Sequence, residues 1–562
     1  MKNKSYWLFE LEKDGGVHYQ TKYSCRFADD KVEKETDSFI VLADGVVLNK
    51  KELKEKDRYG NTLFEYYQHC YDTPEATKQL IGPFVAVVYN KDKGDGIAFG
   101  NQTGDSSVFY GYNKENGTLF LSNNFNVVFE KCCPRSICER AAHYLLTYGF
   151  IVDDTTIADG IYRLQAGKLL RFDTGGVKVE QYHRFNFHDK IDITMDEAIE
   201  RVDALFRNAV KRCFDKDLEY GYTQHLADMS AGLDSRMTNV VAKDLGYTNI
   251  VNISYSQSGS DEQKIALQVS LALGNPLYHR SLDDATFIYD MKETIHEEYG
   301  VAYAHGFTGG RQFLRLIDFD KFGLEHTGQI GDVVLSQFFP KTTTFQDCNA
   351  KRMSEVLEQR FPLKADDFVT NEEFAFYTRA FQGALSTHYI RSQYTYAVSP
   401  FLDPELLEFC ASLPDEIRSS HCLYWNWIDR KYPVFGKISS TRKRQYKGMG
   451  LNRAVKLYSG KIIERIEEKT REICFCLGLT HQSVTRNYMN PYQYWYETDE
   501  RLRNFITTFW QENNYLIKGQ GQLEAECRTM FESQSAFDKL LCVSLLETIN
   551  VYFSTNTLKK GT

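Results

Sequence analysis

The sequence predicts a protein of mixed α/β and α+β class with two domains, residues 1–185 and 190–562. Its 562 residues are too many for a single hydrophobic core. Short alternating runs separated by turn residues fill the first part, which is typical of layered antiparallel sheet. In the second part, apolar strands alternate with helical patterns, which predicts a doubly wound parallel sheet followed by a helical C-terminal region.

The composition is that of an ordinary globular protein, with 42% hydrophobic and 25% charged residues. A net charge of −9 argues against a broad nucleic-acid surface. No signal-peptide core and no run of about 18 apolar residues is present, so we expect a cytoplasmic protein without a membrane partner. The 13 cysteines lack the paired spacing of zinc sites, which favours reduced thiols over a structural metal.

The first domain contains several segments with the pattern of half-buried strands. The clearest predicted strands are residues 6–9, 39–42, 84–89, 97–99 and 119–121. Residues 113–117 and 173–176 are rich in Asn, Asp and Gly, which predicts hairpin turns. From the residues alone, this part is a β-rich layer with a few helices.

The second domain opens with a capping box, because Thr194 and Glu197 stand three apart before an apolar helical pattern. Predicted strands follow in the order 226–229, 249–254, 277–282 and 323–326. A second capping box is predicted at Ser260 and Gln263. In an open α/β sheet, ligands bind at the carboxyl ends of the strands near the point where strand order reverses. We therefore expect the site after these strands.

The segment 226–236 is the strongest local signal in the chain. It predicts a buried strand, a tight turn of small residues, and the start of a helix. Such a turn directs free backbone N–H groups and the positive end of a helix dipole to one point, where phosphate binds. The turn residues are Ser230, Ala231, Gly232, Leu233, Asp234 and Ser235. No Gly-Lys-Ser/Thr follows, so this is not a Walker motif.

The order Ser-x-Gly-x-Asp-Ser resembles the pyrophosphate loop of ATP pyrophosphatases that make acyl-adenylates, with Ala231 in place of a glycine. Residues 42–53, 81–89, 104–111 and 156–164 resemble stretches of class II glutamine amidotransferase domains. Together the two halves resemble the asparagine synthetase family. The resemblance implies an Ntn-hydrolase-like N-terminal domain and a C-terminal domain of the adenine nucleotide α-hydrolase-like fold.

The resemblance also implies a second phosphate loop at residues 327–332. Gly328 and Asp332 match the family loop, whereas Gln329 and Val333 replace two of its glutamates. ATP is then expected at the first turn, at Ile253 of the second strand and at Gly328. The family's catalytic lysine lies in a basic loop that resembles residues 437–447 here, with Lys447 as the best match and Lys443 as the rival.

Asp234 and Asp332 are the expected metal ligands. Adenylation displaces pyrophosphate, and Mg²⁺ bound by one or two carboxylates is the usual means of neutralising that leaving group. Each aspartate follows a phosphate-type turn, so a pair that reaches one ion is reasonable. Asp332 is also predicted to be catalytic. Either carboxylate could instead cap a helix.

The glutaminase chemistry of the first domain is expected to be absent. The family enzyme uses an N-terminal cysteine whose own α-amine acts as the base. Here Lys2 stands at that position, and the nearest cysteine is Cys25. The same loss occurs in the β-lactam synthetases, and lasso-peptide cyclases belong to the same wider superfamily.

The resemblance therefore implies an AMP-forming carbon–nitrogen ligase that uses ATP and Mg²⁺. Its partners would be a small-molecule or peptide carboxylate and an amine, with no nucleic acid, and a homodimer is left open. Three alternatives stand beside it. They are an asparagine synthetase that uses ammonia, an intramolecular peptide or β-lactam cyclase, and a non-catalytic nucleotide-binding scaffold.

Overall fold

The computed structural model describes residues 5–55, 62–337, 352–363, 367–440, 466, 469–471, 473–474, 483–484 and 487–554. Two antiparallel sheets form the N-terminal part, and a five-stranded parallel sheet forms the centre of the C-terminal part. The predicted fold class is thereby confirmed. The domain limits 1–185 and 190–562 stay a prediction.

The N-terminal strands form a five-stranded sheet, in the order β2-β1-β8-β7-β9, and a six-stranded sheet, β11-β10-β6-β5-β4-β3. The strands are β1 (Tyr6–Leu11), β2 (Val17–Lys22), β3 (Val32–Glu35), β4 (Phe39–Gly45), β5 (Phe84–Asn90), β6 (Asp95–Gly100), β7 (Phe109–Tyr112), β8 (Leu119–Ser122), β9 (Ile161–Arg163), β10 (Lys168–Asp173) and β11 (Gly176–Gln181). Trp7 and Phe9 of one sheet share a buried core with Leu42 and Val87 of the other, so the sheets pack face to face. The predicted turns join β7 to β8 and β10 to β11.

The C-terminal sheet has the order β14-β13-β12-β15-β16, and every neighbouring pair is parallel. Its strands are β12 (Gln224–Asp228), β13 (Ile250–Ser256), β14 (Leu277–Ser281), β15 (Phe322–His326) and β16 (Ala397–Val398). The chain builds outward from β12 to β14 and then returns to add β15 on the other side of β12. The gap between the ends of β12 and β15 is therefore the switch point at which such sheets bind ligands.

The helices cover the faces of the sheets and form the C-terminal region. They are α1 (Lys50–Glu55), α2 (Leu63–Asp72), α3 (Phe125–Cys132), α4 (Glu139–Tyr148), α5 (Met195–Glu219), α6 (Asp234–Asp244), α7 (Asp261–Leu273), α8 (Met291–Glu298), α9 (Thr308–Leu314), α10 (Gly331–Leu335), α11 (Asn371–Ala375), α12 (Thr387–Arg391), α13 (Pro404–Ser412), α14 (Asp415–Arg418), α15 (Cys422–Lys431), α16 (Pro433–Gly436), α17 (Tyr492–Thr498), α18 (Glu500–Asn513), α19 (Gln522–Glu532) and α20 (Ala536–Phe553). A π-helical segment, Phe376–Gly383, precedes α12. Among the described helices, none combines the length and the apolar character needed to cross a membrane.

The two predicted capping boxes have different outcomes. Thr194 and Glu197 exchange both hydrogen bonds at the start of α5, so the first prediction is confirmed. At α7, the Ser260 hydroxyl accepts from the backbone N–H of Gln263. The Gln263 side chain instead accepts from the N–H of Gly259, one residue earlier, at 2.7 Å. The second prediction of a reciprocal box was wrong, because the preceding turn at Gly259 brings a different N–H into reach.

Arg26 joins the N-terminal sheets to the parallel sheet. Its guanidinium is buried and donates to the carbonyl oxygens of Phe319 at 2.9 Å and Gly323 at 2.7 Å. It also donates to the Thr395 hydroxyl at 3.2 Å. A charged group buried in this way needs several acceptors, which here come from the segments around β15 and β16.

Candidate nucleotide site

Two loops meet at the switch point of the parallel sheet. The first runs from Ser230 to Leu233 between β12 and α6, and the second from Thr327 to Ile330 between β15 and α10. A Cβ atom on Gly328 would lie 2.2 Å from the backbone nitrogen of Ser235. Only a residue without a side chain allows this approach. The two phosphate-type loops predicted from separate segments are therefore in direct backbone contact.

The backbone N–H groups of the first loop are held by polar side chains. The Ser230 N–H donates to the Ser235 hydroxyl at 3.0 Å, and the Gly232 N–H donates to the Ser230 hydroxyl at 3.1 Å. The Ala231 N–H donates to Oε1 of Glu262 at 2.8 Å. Glu262 thus places a carboxylate against an N–H group of the predicted phosphate loop.

Glu262 has a second role besides its place at the start of α7. Its position in the first turn of α7 favours a simple interaction with the helix dipole. In the structure, burial raises the pKa of the Glu262 carboxyl, and the hydrogen bond from Ala231 partly offsets that rise. The capping position of Ser260 and the acidic first turn were the available sequence signals, but neither indicates contact with a loop 31 residues away.

The carboxylates of Asp234 and Asp332 both affect the pKa of the Tyr424 hydroxyl. Tyr424 is fully buried and donates to Oδ1 of Asp234 at 2.9 Å. Burial raises the pKa of Tyr424 far above its usual value, and the charges of Asp234 and Asp332 raise it further. A Cβ on Gly331 would lie 2.8 Å from Cγ of Asp234, so this carboxyl group lies against the start of α10. Two carboxylates on facing loops suit a hard divalent cation such as Mg²⁺.

Arg236 has a role that the sequence did not predict. From the sequence, an arginine just after this turn could contact phosphate or lie at the surface, but its side chain is fully buried. It donates to the carbonyl oxygens of Ile438 at 3.0 Å and Ser439 at 2.6 Å. The Ser440 hydroxyl then donates to the Ala231 carbonyl at 3.1 Å. The segment that precedes the basic loop is therefore fixed to the first phosphate loop.

Lys447 and its rival Lys443 lie outside the described residues. The residues just before them, Ser439 and Ser440, contact the first loop or the arginine that follows it. The assignment of a catalytic lysine stays a prediction.

The two residues that replace family glutamates have structural partners. The side-chain amide of Gln329 donates to the Thr387 hydroxyl at 2.7 Å, and the backbone carbonyl of Gln329 accepts from the Ser399 hydroxyl at 3.0 Å. Val333 is half-buried and packs against the core around the parallel sheet. Between them, Ile330 has φ = 61°, a left-handed conformation that is strained for a β-branched residue. Such strain is frequent where a loop is shaped for a ligand.

Asp228 is explained by a buried ion cluster at the end of β12. Its Oδ2 lies 3.1 Å from Nη2 of Arg391, which is only 3% exposed and also pairs with Glu325 of β15. Burial raises the pKa of Glu325 to about 8, although Arg391 opposes the rise. The aspartate in a parallel strand is thus one partner of an arginine contributed by α12, 163 residues away.

Ile253 lies beside the first loop through its backbone. It pairs with Asp228 across β12 and β13, and its carbonyl accepts from the Met229 N–H at 2.9 Å. Its side chain is buried in the core cluster that contains Leu226. Its predicted contact with a nucleotide stays untested.

A separate group of potential metal ligands lies deeper in the sheet. Both imidazoles, of His225 and His326, lie 2.7 Å from Oδ2 of Asp217, and all three residues are buried. The Leu324 N–H donates to the other oxygen of Asp217 at 2.7 Å. These hydrogen bonds therefore explain why the three residues lie together: they connect and support β12 and β15.

Residues 32–183, about a quarter of the chain, match the family model of the glutamine amidotransferase domain. This is the class of domain that the antiparallel N-terminal part resembles. Among curated proteins, no match to this chain was found.

Three solved structures show distant similarity to this chain. The structure of glutamine phosphoribosylpyrophosphate amidotransferase from B. subtilis with ADP and GMP has 9% identity and a TM-score of 0.23, covering 50% of this chain and 85% of that one. The allosteric regulatory enzyme of purine biosynthesis has 10% identity and a TM-score of 0.22, with coverage of 49% and 59%. Glutamine-dependent NAD⁺ synthetase from Acinetobacter baumannii with ADP has 16% identity and a TM-score of 0.19, with coverage of 32% of each chain. These scores are too low to support any argument about activity.

Proposed function

We propose that this protein is an ATP-dependent carbon–nitrogen ligase of the asparagine synthetase type, which adenylates a carboxylate and passes the acyl group to an amine. The observation that carries the proposal is the close contact of Gly328 with the backbone of Ser235 at the switch point. Two phosphate-type turns in contact at the carboxyl ends of parallel strands suit a polyphosphate better than a single phosphate.

The proposed reaction has two steps. An oxygen of the substrate carboxylate attacks the α-phosphorus of ATP, the bond to the bridging oxygen breaks, and pyrophosphate leaves. The amine nitrogen then attacks the acyl carbon, AMP leaves with the bonding electrons, and a base accepts the amine proton. The loops from Ser230 to Ser235 and at Gly328 act by positioning and by stabilising developing charge.

Asp234 and Asp332 would hold Mg²⁺, which supplies charge neutralisation for the departing pyrophosphate. Their fit rests on the close approach of the two loops: a Cβ on Gly331, the residue before Asp332, would lie 2.8 Å from Cγ of Asp234. Lys447, or Lys443 in its place, is proposed to face the reacting carboxylate and phosphate.

We propose that the N-terminal domain does not supply ammonia from glutamine. Cys25 is exposed, but its nitrogen belongs to a peptide bond, so it has no free α-amine to act as a base. The amine is then ammonia or an amine on a substrate. Aspartate with ammonia as the productive pair would identify an asparagine synthetase, whereas a product closed on itself would identify a cyclase.

The test is ATP-dependent pyrophosphate exchange screened over carboxylic acids, with wild type and Asp332→Asn. The substitution keeps the size of the side chain and removes its charge, which matters most when charge has grown on the leaving group. We expect the adenylation rate to fall about 100-fold, with a much smaller change in ATP affinity. Asp320→Asn, at an exposed position in the same region, is the matched control. Equal rates for wild type and Asp332→Asn would exclude Asp332 from the reaction.

A second candidate, a non-catalytic nucleotide-binding scaffold, is favoured by two observations. The Ala231 N–H already donates a hydrogen bond to the Glu262 carboxylate, and the neutral residues Gln329 and Val333 stand where the family loop has glutamates. A scaffold would bind ATP but show no exchange with any carboxylate.

A further inference from the structure

A cavity of about 250 Å³ lies next to the second loop. Thr387 is part of its wall, and the Thr387 hydroxyl accepts the hydrogen bond from the side chain of Gln329. Arg379 is also part of its wall. Burial lowers the pKa of Arg379, and the charge of Asp332 opposes that effect, so Arg379 lies within electrostatic reach of the proposed metal ligand. The cavity thus opens beside the place where pyrophosphate would leave.

Glu298 contributes an unusual carboxyl group to the same cavity. It is the last residue of α8 and only 2% exposed. Within the described part of the chain, its Oε2 has no hydrogen-bond partner. Burial raises the pKa of Glu298 to about 8, although the Ser386 side chain opposes the rise. A buried carboxylate at the negative end of a helix dipole is destabilising unless a cation neutralises it.

Two ionisable groups that can carry opposite charges therefore line one cavity, and they come from different parts of the chain, α8 and the segment that precedes α12. Tyr303 lies within reach of both, because burial and Glu298 raise its pKa while Arg379 lowers it. Glu298 and Arg379 are therefore both available to one small ligand in this cavity.

Arg379 belongs to the π-helical segment Phe376–Gly383. Single π-helical turns are rare and occur frequently at functional sites. The rest of the cavity wall includes Phe150 and Phe307, whose apolar rings strengthen any charge pair formed inside.

We propose that this cavity binds the acyl substrate, and that the substrate is a small acid with a cationic group that pairs with Glu298 while its carboxylate lies near Arg379 and the second loop. Glu298 would then be the residue that selects an ammonium or guanidinium group. This inference rests on the proposed adenylation and adds to it the charge of the substrate.

The experiment measures pyrophosphate exchange with wild type and Glu298→Gln. The probes are α- and ω-amino acids, each paired with the acid in which hydrogen replaces the amino group. We expect wild type to use at least one amino acid and to reject its uncharged partner. Glu298→Gln should raise the KM for that amino acid about 10- to 100-fold, the effect of one charge-assisted hydrogen bond. Its melting temperature should be no lower than that of wild type, because an unpaired buried carboxyl is removed.

Glu293→Gln is the matched control, since Glu293 is an exposed residue of the same helix and does not line the cavity. Three outcomes would overturn the role of Glu298 alone. Wild type could use the uncharged acids equally well, or Glu298→Gln could leave the KM unchanged. The third outcome is exchange with no amino acid although the protein binds ATP in a magnesium-dependent way. A wild-type protein that binds no ATP would overturn the proposed function as well.

Discussion

The hydroxyl of Tyr424 donates a hydrogen bond of 2.9 Å to Oδ1 of Asp234. Tyr424 comes from α15, 190 residues after the first loop, and its side chain is fully buried. The charge of Asp332 also raises the pKa of this hydroxyl, so Tyr424 lies near both predicted metal ligands. Its hydrogen bond fixes the orientation of one of them, Asp234. Groups that orient metal ligands strongly affect metal affinity.

Tyr424→Phe should therefore weaken magnesium binding. Removing the hydroxyl deletes one hydrogen bond to a carboxylate, so the Mg²⁺ concentration for half-maximal pyrophosphate exchange should rise about 10-fold. The measurement is a magnesium titration of exchange at saturating ATP. Tyr432→Phe is the matched control, because Tyr432 donates to Oδ1 of Asp203 at 2.9 Å, away from both loops. An unchanged titration curve for Tyr424→Phe would show that this hydroxyl does not contribute to magnesium binding.

Gly328→Ala should destabilise the contact between the loops. The new methyl group would meet backbone atoms of Asp234 and Ser235 at 2.2 to 2.7 Å, and backbone cannot move aside as a side chain does. We expect a loss of about 1–3 kcal/mol in the free energy of unfolding, together with weaker ATP binding. Gly232→Ala is the control for the unfolding measurement, because among the described atoms its Cβ would have the Ser230 hydroxyl as its one neighbour within 4 Å, at 3.2 Å. Similar urea unfolding curves for Gly328→Ala and wild type would contradict the close approach.

Glu262→Gln should tighten ATP binding. The Glu262 carboxylate accepts from the Ala231 N–H, and a negative charge there opposes an approaching phosphate. The amide can still accept this hydrogen bond, so the loop keeps its shape while the repulsion is removed. We expect a fall in Kd of about 5-fold, equivalent to roughly 1 kcal/mol. Calorimetric titration with ATP provides the measurement, with the exposed neighbour Asp261→Asn as control. Weaker binding to Glu262→Gln would show instead that the charge organises the loop.

The sequence was sufficient for features that depend on neighbouring residues. The alternation of strands and helices predicted the parallel sheet, and the small residues after β12 predicted the turn that leads from Ser230 into α6. Thr194 and Glu197 predicted the start of α5 for the same reason, since a capping box is formed by residues three apart. Backbone propensity and helix capping act over a few residues, so they are visible in the order of the chain.

Only the tertiary structure placed Glu262, Tyr424 and Arg391 at the carboxyl ends of β12 and β15. Their partners lie 31, 190 and 163 residues away, and no local pattern marks these pairs. The same holds for Glu298, whose burial and unpartnered oxygen depend on how α8 packs beside the segment that contains Arg379. Local residue order specifies each turn and helix, but side chains from distant segments meet only when the path of the whole chain brings them together. The charges and hydrogen bonds of the site are therefore set by packing between those segments.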